Sequence, residues 1–259
     1  MNEDLKKQAQ ALGLKHLAQN GDELLAAALK QKPSYHAFLT NLLAREYGLQ
    51  QEKNRLTRIK KACIPELLVM QTFPFDQQPK LKKKIVLELY DSSRYLTERQ
   101  ELIFIGPTGC GKTGLATAFL VHAINQGQRG YFIDFSKLLK LLLRSKGDHT
   151  EAKVLKRFQN YHILLIDEWG YDPVDKEVAG LLFDVLKKRH RKCTTLLTTQ
   201  LGFEEWNSFL LNTHLTSALL DRITENCTVF NLKNCDSLRK KHIVYATQPQ
   251  ALPRTNKPE

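Results

Sequence analysis

The chain of 259 residues is long enough to bury one large α/β core and a small appendage without disulfide or metal staples. Its 39 Lys+Arg against 27 Asp+Glu leave a formal charge of +12, an excess that points to an anionic partner, nucleic acid or an acidic membrane surface. The five cysteines (Cys63, Cys110, Cys193, Cys227, Cys235) form no Cys-x-x-Cys pair and have no histidine at zinc-finger spacing. That excludes a disulfide scaffold and a zinc module, and predicts free thiols in a reducing compartment. No run has the length of a membrane span and the first residues lack an apolar signal segment, so a cytoplasmic location is expected.

Leu5, Ala9 and Leu12, then Leu24, Leu25, Ala28 and Leu29, then Tyr35, Phe38, Leu39, Leu42 and Leu43 recur at helical spacing, which predicts a small all-helical domain over residues 1–72. Its third helix continues through Arg45, Lys53, Arg55, Arg58, Lys60 and Lys61, opposed only by Glu46 and Glu52. A solvated helix face and a DNA-backbone contact both account for that basic flank. Thr72 to Pro79 holds two prolines and reads as an extended linker with Phe73 and Phe75 tucked against the next domain. Lys80, Lys82, Lys83 and Lys84 open a helix to about Leu96.

From Leu102 the pattern alternates strand and helix, which predicts a parallel sheet covered on both faces. Behind the apolar run Leu102 to Ile105 stands Gly106-Pro107-Thr108-Gly109-Cys110-Gly111-Lys112-Thr113-Gly114, which fits G-x-x-x-x-G-K-[ST]. Glycines let successive backbone N–H groups turn inward onto a polyphosphate, and the following helix adds its positive N-terminal end. Lys112 would reach the β/γ-phosphates and Thr113 would hold Mg²⁺. A dinucleotide fingerprint is not matched, because the glycines fall in the order G-x-x-G-x-G.

A second strand over 130–135 precedes a helix that Ser136 can cap. Between Ser136 and Phe158 stand Lys137, Lys140, Arg144, Lys146, Lys153, Lys156 and Arg157 against Asp148 and Glu151, a second candidate nucleic-acid surface. Ile163 to Ile166 is a continuously apolar strand ending in Asp167 and Glu168. The first carboxylate can hold the Mg²⁺ shell, and the second can orient and deprotonate an attacking water. A helix over 175–191 leads to the strand 194–200, whose polar end at Thr199 and Gln200 can touch a γ-phosphate or that water. Arg222, beside Asp221 on a helix ahead of the last strand 228–232, reads from the residues alone as half of a surface ion pair. A short helix around Ser237 to Ala246 and a disordered tail from 247 to 259 complete the chain, so the second domain is placed at 73–246.

These motifs together resemble the IstB-like ATPases, transposition helpers of insertion sequences related to the DnaC helicase loaders and the DnaA-type initiators. The likeness is carried by Phe73-Pro74-Phe75-Asp76, Gly106 to Thr113, Leu164 to Tyr171, Leu197 to Trp206 and Ala218 to Ile223. It implies an α/β fold: a P-loop AAA+ domain with a five-stranded parallel sheet flanked by helices. It further implies ATP and Mg²⁺ as cofactors, regulatory ATP hydrolysis, homo-oligomers assembled through ATP at subunit interfaces on double-stranded DNA, and a partner transposase. Arg222 matches the family's arginine finger, Arg239 a second phosphate sensor, and 136–159 an insertion that faces DNA. Gln200 replaces the family's Asn, Trp169 a small aliphatic residue, and Asn234-Cys235-Asp236 the family's Gly-Glu. A helicase loader that holds single strands is the alternative function. A small-molecule kinase would need an acceptor pocket and a basic lid, which the sequence does not display.

Overall fold

Five strands, β1 (Glu101–Ile105), β2 (Gly130–Asp134), β3 (Ile163–Asp167), β4 (Thr194–Thr199) and β5 (Cys227–Asn231), form one sheet in the order β2-β3-β4-β1-β5. Every pairing is parallel, with Ile103 opposite Leu197 and Val229, and Leu165 opposite Leu196. The structure is a computed structural model that describes residues 1–238. The expected sheet is present, and its order carries a consequence for the site: β4 lies between the strand that feeds the glycine-rich loop and the strand that ends in Asp167.

Alternation along the strands builds two cores. Ile103, Ile105, Ile133, Leu164, Ile166 and Leu197 face one side, and Leu102, Phe104, Phe132, Leu165, Leu196 and Phe230 face the other. Strands buried on both faces read as continuous apolar runs, as these do. The first core is closed by α7 (Phe135–Gly147), α8 (Glu151–Gln159), α9 (Lys176–Arg189), α10 (Trp206–Leu210) and α11 (Thr213–Glu225). The second is closed by α6 (Lys112–Asn125) with α4 (Lys83–Ser92) and α5 (Arg94–Thr97).

Three helices precede this layer: α1 (Glu3–Ala11), α2 (Lys15–Gln31) and α3 (Tyr35–Lys61). Asn2 and Ser34 cap α1 and α3 by accepting from Leu5 N and Ala37 N. The far end of α3 lies on the sheet layer: Phe132 N donates to Ala62 O at 2.8 Å, Arg55 reaches Asn125, and Arg58 Nε reaches Ile124 O. The segment after α3 stays with that layer, since Ala62 and Met70 are buried in the α6 core and Phe73 and Phe75 pack onto it.

Two local expectations shift. The helix expected from Lys80 to Leu96 starts at Lys83 and breaks at Ser93, which takes φ +55° and so divides α4 from α5. Ser136 does not cap α7, because the helix begins one residue earlier: Phe135 turns its buried ring onto Trp169 and ends β2 at Asp134. Asp134 takes the cap position and ion-pairs with Lys137 one turn on. The expected helix around Ser237–Ala246 lies, apart from Ser237 and Leu238, outside the described residues, as do Arg239 and the tail 247–259.

Candidate nucleotide site

The loop between β1 and α6 is built by close approach. A Cβ on Gly106 would stand 2.8 Å from the Leu232 carbonyl carbon, so only glycine lets β1 turn beside the end of β5. Gly111 sits at φ +97°, in the left-handed region that favours glycine, directly before the first turn of α6. Lys112 Nζ donates to Pro107 O at 2.8 Å across the loop.

A cavity of about 800 Å³ opens over this loop at the C-terminal edge of the sheet. Thr108, Gly109, Gly111, Lys112, Thr113 and Gly114 line its floor. Gly106, Pro107 and Cys110 do not line it; they hold the loop in place, and the Cys110 side chain is buried in the α6 core. The far wall is the segment after α3, with Leu68, Val69, Thr72 and Phe73, joined by Leu238. That wall leaves room for a nucleoside beyond the phosphates.

Two carboxylates end β3: Glu168 lines the cavity, while Asp167 is buried behind the lining. Thr113 Oγ1 donates to Asp167 Oδ1 at 2.9 Å, joining the helix after the loop to the tip of β3. Burial raises the Asp167 carboxyl above the usual range; the Thr198 and Thr113 hydroxyls pull it down, Asp134 adds to the rise, and Lys112 opposes it. Glu168 lies just past the strand at φ +58° and is exposed on the cavity wall. A non-glycine residue held there costs about 1–3 kcal/mol, and such strain collects at functional positions. Hard oxygen donors of this kind, a hydroxyl and a carboxylate within hydrogen-bond reach, fit a magnesium ion beside a polyphosphate.

The end of β4 divides its hydroxyls. Thr199 Oγ1 donates to Trp169 O at 2.8 Å and accepts from Leu201 N, so it is committed to backbone. Thr198, a residue the sequence did not single out, is the one whose hydroxyl meets Asp167 and the Glu168 amide. Gln200 is exposed on the cavity wall. Gln78 was also missed: its buried amide donates to Cys110 O at 3.2 Å and Asp236 O at 2.7 Å, tying linker, loop and C-terminal segment together. A lone glutamine in a proline-flanked linker carries no sequence signal for this role.

A model of the IstB-like ATP binding protein family matches residues 7–246. The chain belongs to that family. It is 31% identical to the insertion sequence IS21 ATP-binding protein of Pseudomonas aeruginosa over 89% of this chain and 86% of that protein. It is also 31% identical to the IS232 ATP-binding protein of Bacillus thuringiensis over 85% and 88% of the two chains. Among solved structures DnaI shares the fold, with a TM-score of 0.51 at 16% identity over 57% of this chain and 84% of that chain. The chain is thus an ATP-binding protein of the IstB-like family, built on the fold that DnaI shares.

Arg222 lies elsewhere. It borders a small recess with Glu101, His190 and Thr195, residues at the N-terminal edge of the sheet, whereas the loop follows the C-terminal edge. Its Nη1 donates to Ala218 O at 2.6 Å and its guanidinium lies 5.0 Å from the Phe183 ring centre. The basic residues divide as well. Arg55 pairs with Glu52, Lys137 with Asp134, Arg144 with Asp148 and Lys146 with Glu177, Arg58 reaches Ile124 O, and Arg157 binds the Tyr131 hydroxyl. Arg45, Lys53, Lys60, Lys61, Lys140, Lys153 and Lys156 are exposed and form no ion pair among the described residues.

Proposed function

We propose that this IstB-family ATPase is a transposition helper that assembles on double-stranded DNA with ATP and acts on a partner transposase. The observation that carries the reading is the separation of Arg222 from its own cavity. An arginine at the opposite sheet edge cannot touch the γ-phosphate bound by its own loop, but on an oligomer's surface it can reach the cavity of the next subunit. ATP would then close subunit interfaces, and hydrolysis would reopen them.

In the cavity, backbone amides of Thr108 to Thr113 and the Lys112 ammonium would hold the β- and γ-phosphates. Thr113 and Asp167 would hold Mg²⁺, which when bound neutralises phosphate charge. Glu168 would accept a proton from water as the water oxygen bonds to the γ-phosphorus and the bond to ADP breaks. Gln200 at the rim would orient that water. Arg222 from a neighbour would balance the charge that develops on the transferred group.

The DNA part of the reading rests on the seven exposed cations on α3 and on α7–α8 that form no ion pair among the described residues, while the paired ones fasten helices. The helical segment 1–72 would supply one surface for DNA or transposase, and the insertion 136–159 the other. The ATPase domain would run from 73 onward, and the protein would act in the cytoplasm. Fluorescence anisotropy on a random duplex with a non-hydrolysable ATP analogue tests this. Affinity should fall about 10³-fold between roughly 50 and 200 mM salt, because several phosphate contacts release counterions. Affinity that stays level over that range, or a strong preference for single strands, would contradict the duplex reading and favour a helicase loader.

A further inference from the structure

Thr198 makes more contacts to the hydrolytic residues than any position assigned so far. Its hydroxyl donates to Asp167 Oδ1 and accepts from Glu168 N at 3.0 Å, while its carbonyl accepts from Trp169 N at 2.7 Å. One residue of β4 therefore holds three consecutive residues of the turn that follows β3. The side chain is 1% exposed, so water does not compete for these bonds. A threonine hydroxyl has one proton to give and lone pairs to receive, which is the complement this turn presents: a carboxylate oxygen and an amide N–H.

The turn needs such a grip. Glu168 sits at φ +58°, a conformation that relaxes towards ordinary backbone unless its surroundings hold it. The sheet order supplies the reason β4 can do it, since β4 runs between β1 and β3 and its end lies beside both the loop and the carboxylates. Thr113 brings a second hydroxyl to the same Asp167 oxygen.

We infer that Thr198 is a positioning residue for ATP hydrolysis: it fixes Asp167 for the metal and aims Glu168 at the water. This rests on the assignment of Asp167 and Glu168 as the hydrolytic pair. The test is Thr198→Val, which keeps the shape and removes the hydroxyl, measured beside Thr198→Ser, which keeps the hydroxyl. Thr198→Val should lower kcat at least 10-fold with KM within about 2-fold, and Thr198→Ser should return kcat to near the wild-type value. The second readout is binding of a fluorescent ATP analogue. The Val variant should bind it as wild type does without Mg²⁺, and should gain several-fold less from added Mg²⁺.

A folded Val variant with wild-type kcat, a loss confined to KM, a Ser variant as impaired as the Val one, or an unchanged Mg²⁺ response would each overturn the inference. Should the Val variant be unfolded at assay temperature, Thr198→Cys carries the test through its weak S–H donor: an intermediate kcat supports the inference, a wild-type kcat refutes it. Glu168→Gln separates the two levels. If that variant turns over normally, the hydrolytic pair itself is wrong; if it is inactive while Thr198→Val is fully active, only the role of Thr198 is.

Discussion

The two edges of one sheet have opposite designs. At the C-terminal edge the strands stop short of a cavity of about 800 Å³, and polar side chains face open space. At the N-terminal edge the polar groups are sealed in. Arg189 is 0% exposed and spends its guanidinium on Thr195 Oγ1 and on the carbonyls of Phe158, Tyr161 and Thr194. Glu101 is 5% exposed beside it, and burial pushes its carboxyl up to about 8. His190 stands 3.9 Å from that carboxyl, but burial, then Arg191 and Arg222, lower its affinity for a proton, so it gives Glu101 no counter-charge at neutral pH. Charge is used for binding at one edge and for holding backbone at the other. Arg222, at the sealed edge, also holds a backbone carbonyl, that of Ala218, but it is only partly buried.

Variants at the two edges should therefore fail differently. The largest effect expected is for Lys112→Ala, which removes the loop's cation: ATP affinity, read by calorimetry, should drop about 100-fold while the melting temperature of the nucleotide-free protein barely moves. Glu168→Gln should keep ATP binding and lower kcat by about 10²–10⁴-fold in a phosphate-release assay. At the sealed edge Arg189→Met should leave ATP contacts untouched but lower stability by about 3 kcal/mol or more in urea melts, because it strands several buried acceptors.

The smallest effect is the pH dependence of Glu101. The folded chain keeps a proton on Glu101 up to about pH 8, whereas the unfolded chain releases it near 4.5, so this group's contribution to stability falls as pH rises through that window. Glu101→Gln removes the titration. It should be more stable than wild type at pH 8.5, with the gap closing towards pH 5. A gap that widens on acidification would show that Glu101 is stabilised as an anion by Arg189.

Sequence reasoning read the open edge better than the sealed one. The loop announces itself because phosphate binding demands glycines and a lysine at fixed spacing; a buried strand that ends in carboxylates is common by chance, and Asp167 and Glu168 gain weight only from following such a loop at domain-scale distance. Thr198 was passed over for Thr199, since two adjacent threonines at a strand end look alike until the turn after β3 decides which hydroxyl meets Asp167. Arg189 stands in a basic helix end, Lys187-Lys188-Arg189, that singles out no one residue. Its burial depends on the carbonyls of Phe158 and Tyr161, about thirty residues away in sequence, which no local pattern encodes. The pairing of the basic runs is hidden in a similar way: six of the thirteen DNA candidates have partners that lie one turn along or on another element.

The central claim is that each ATP site is completed by Arg222 of another subunit, and subunit mixing tests it most directly. Arg222→Ala and Glu168→Gln proteins should each be nearly inactive alone with ATP and duplex DNA. Mixed in equal amounts they should recover about a quarter of wild-type turnover, the random fraction of interfaces that pair an intact Arg222 with an intact Glu168. A mixture as inactive as its components, or an Arg222→Ala protein that hydrolyses ATP at the wild-type rate by itself, would contradict the account.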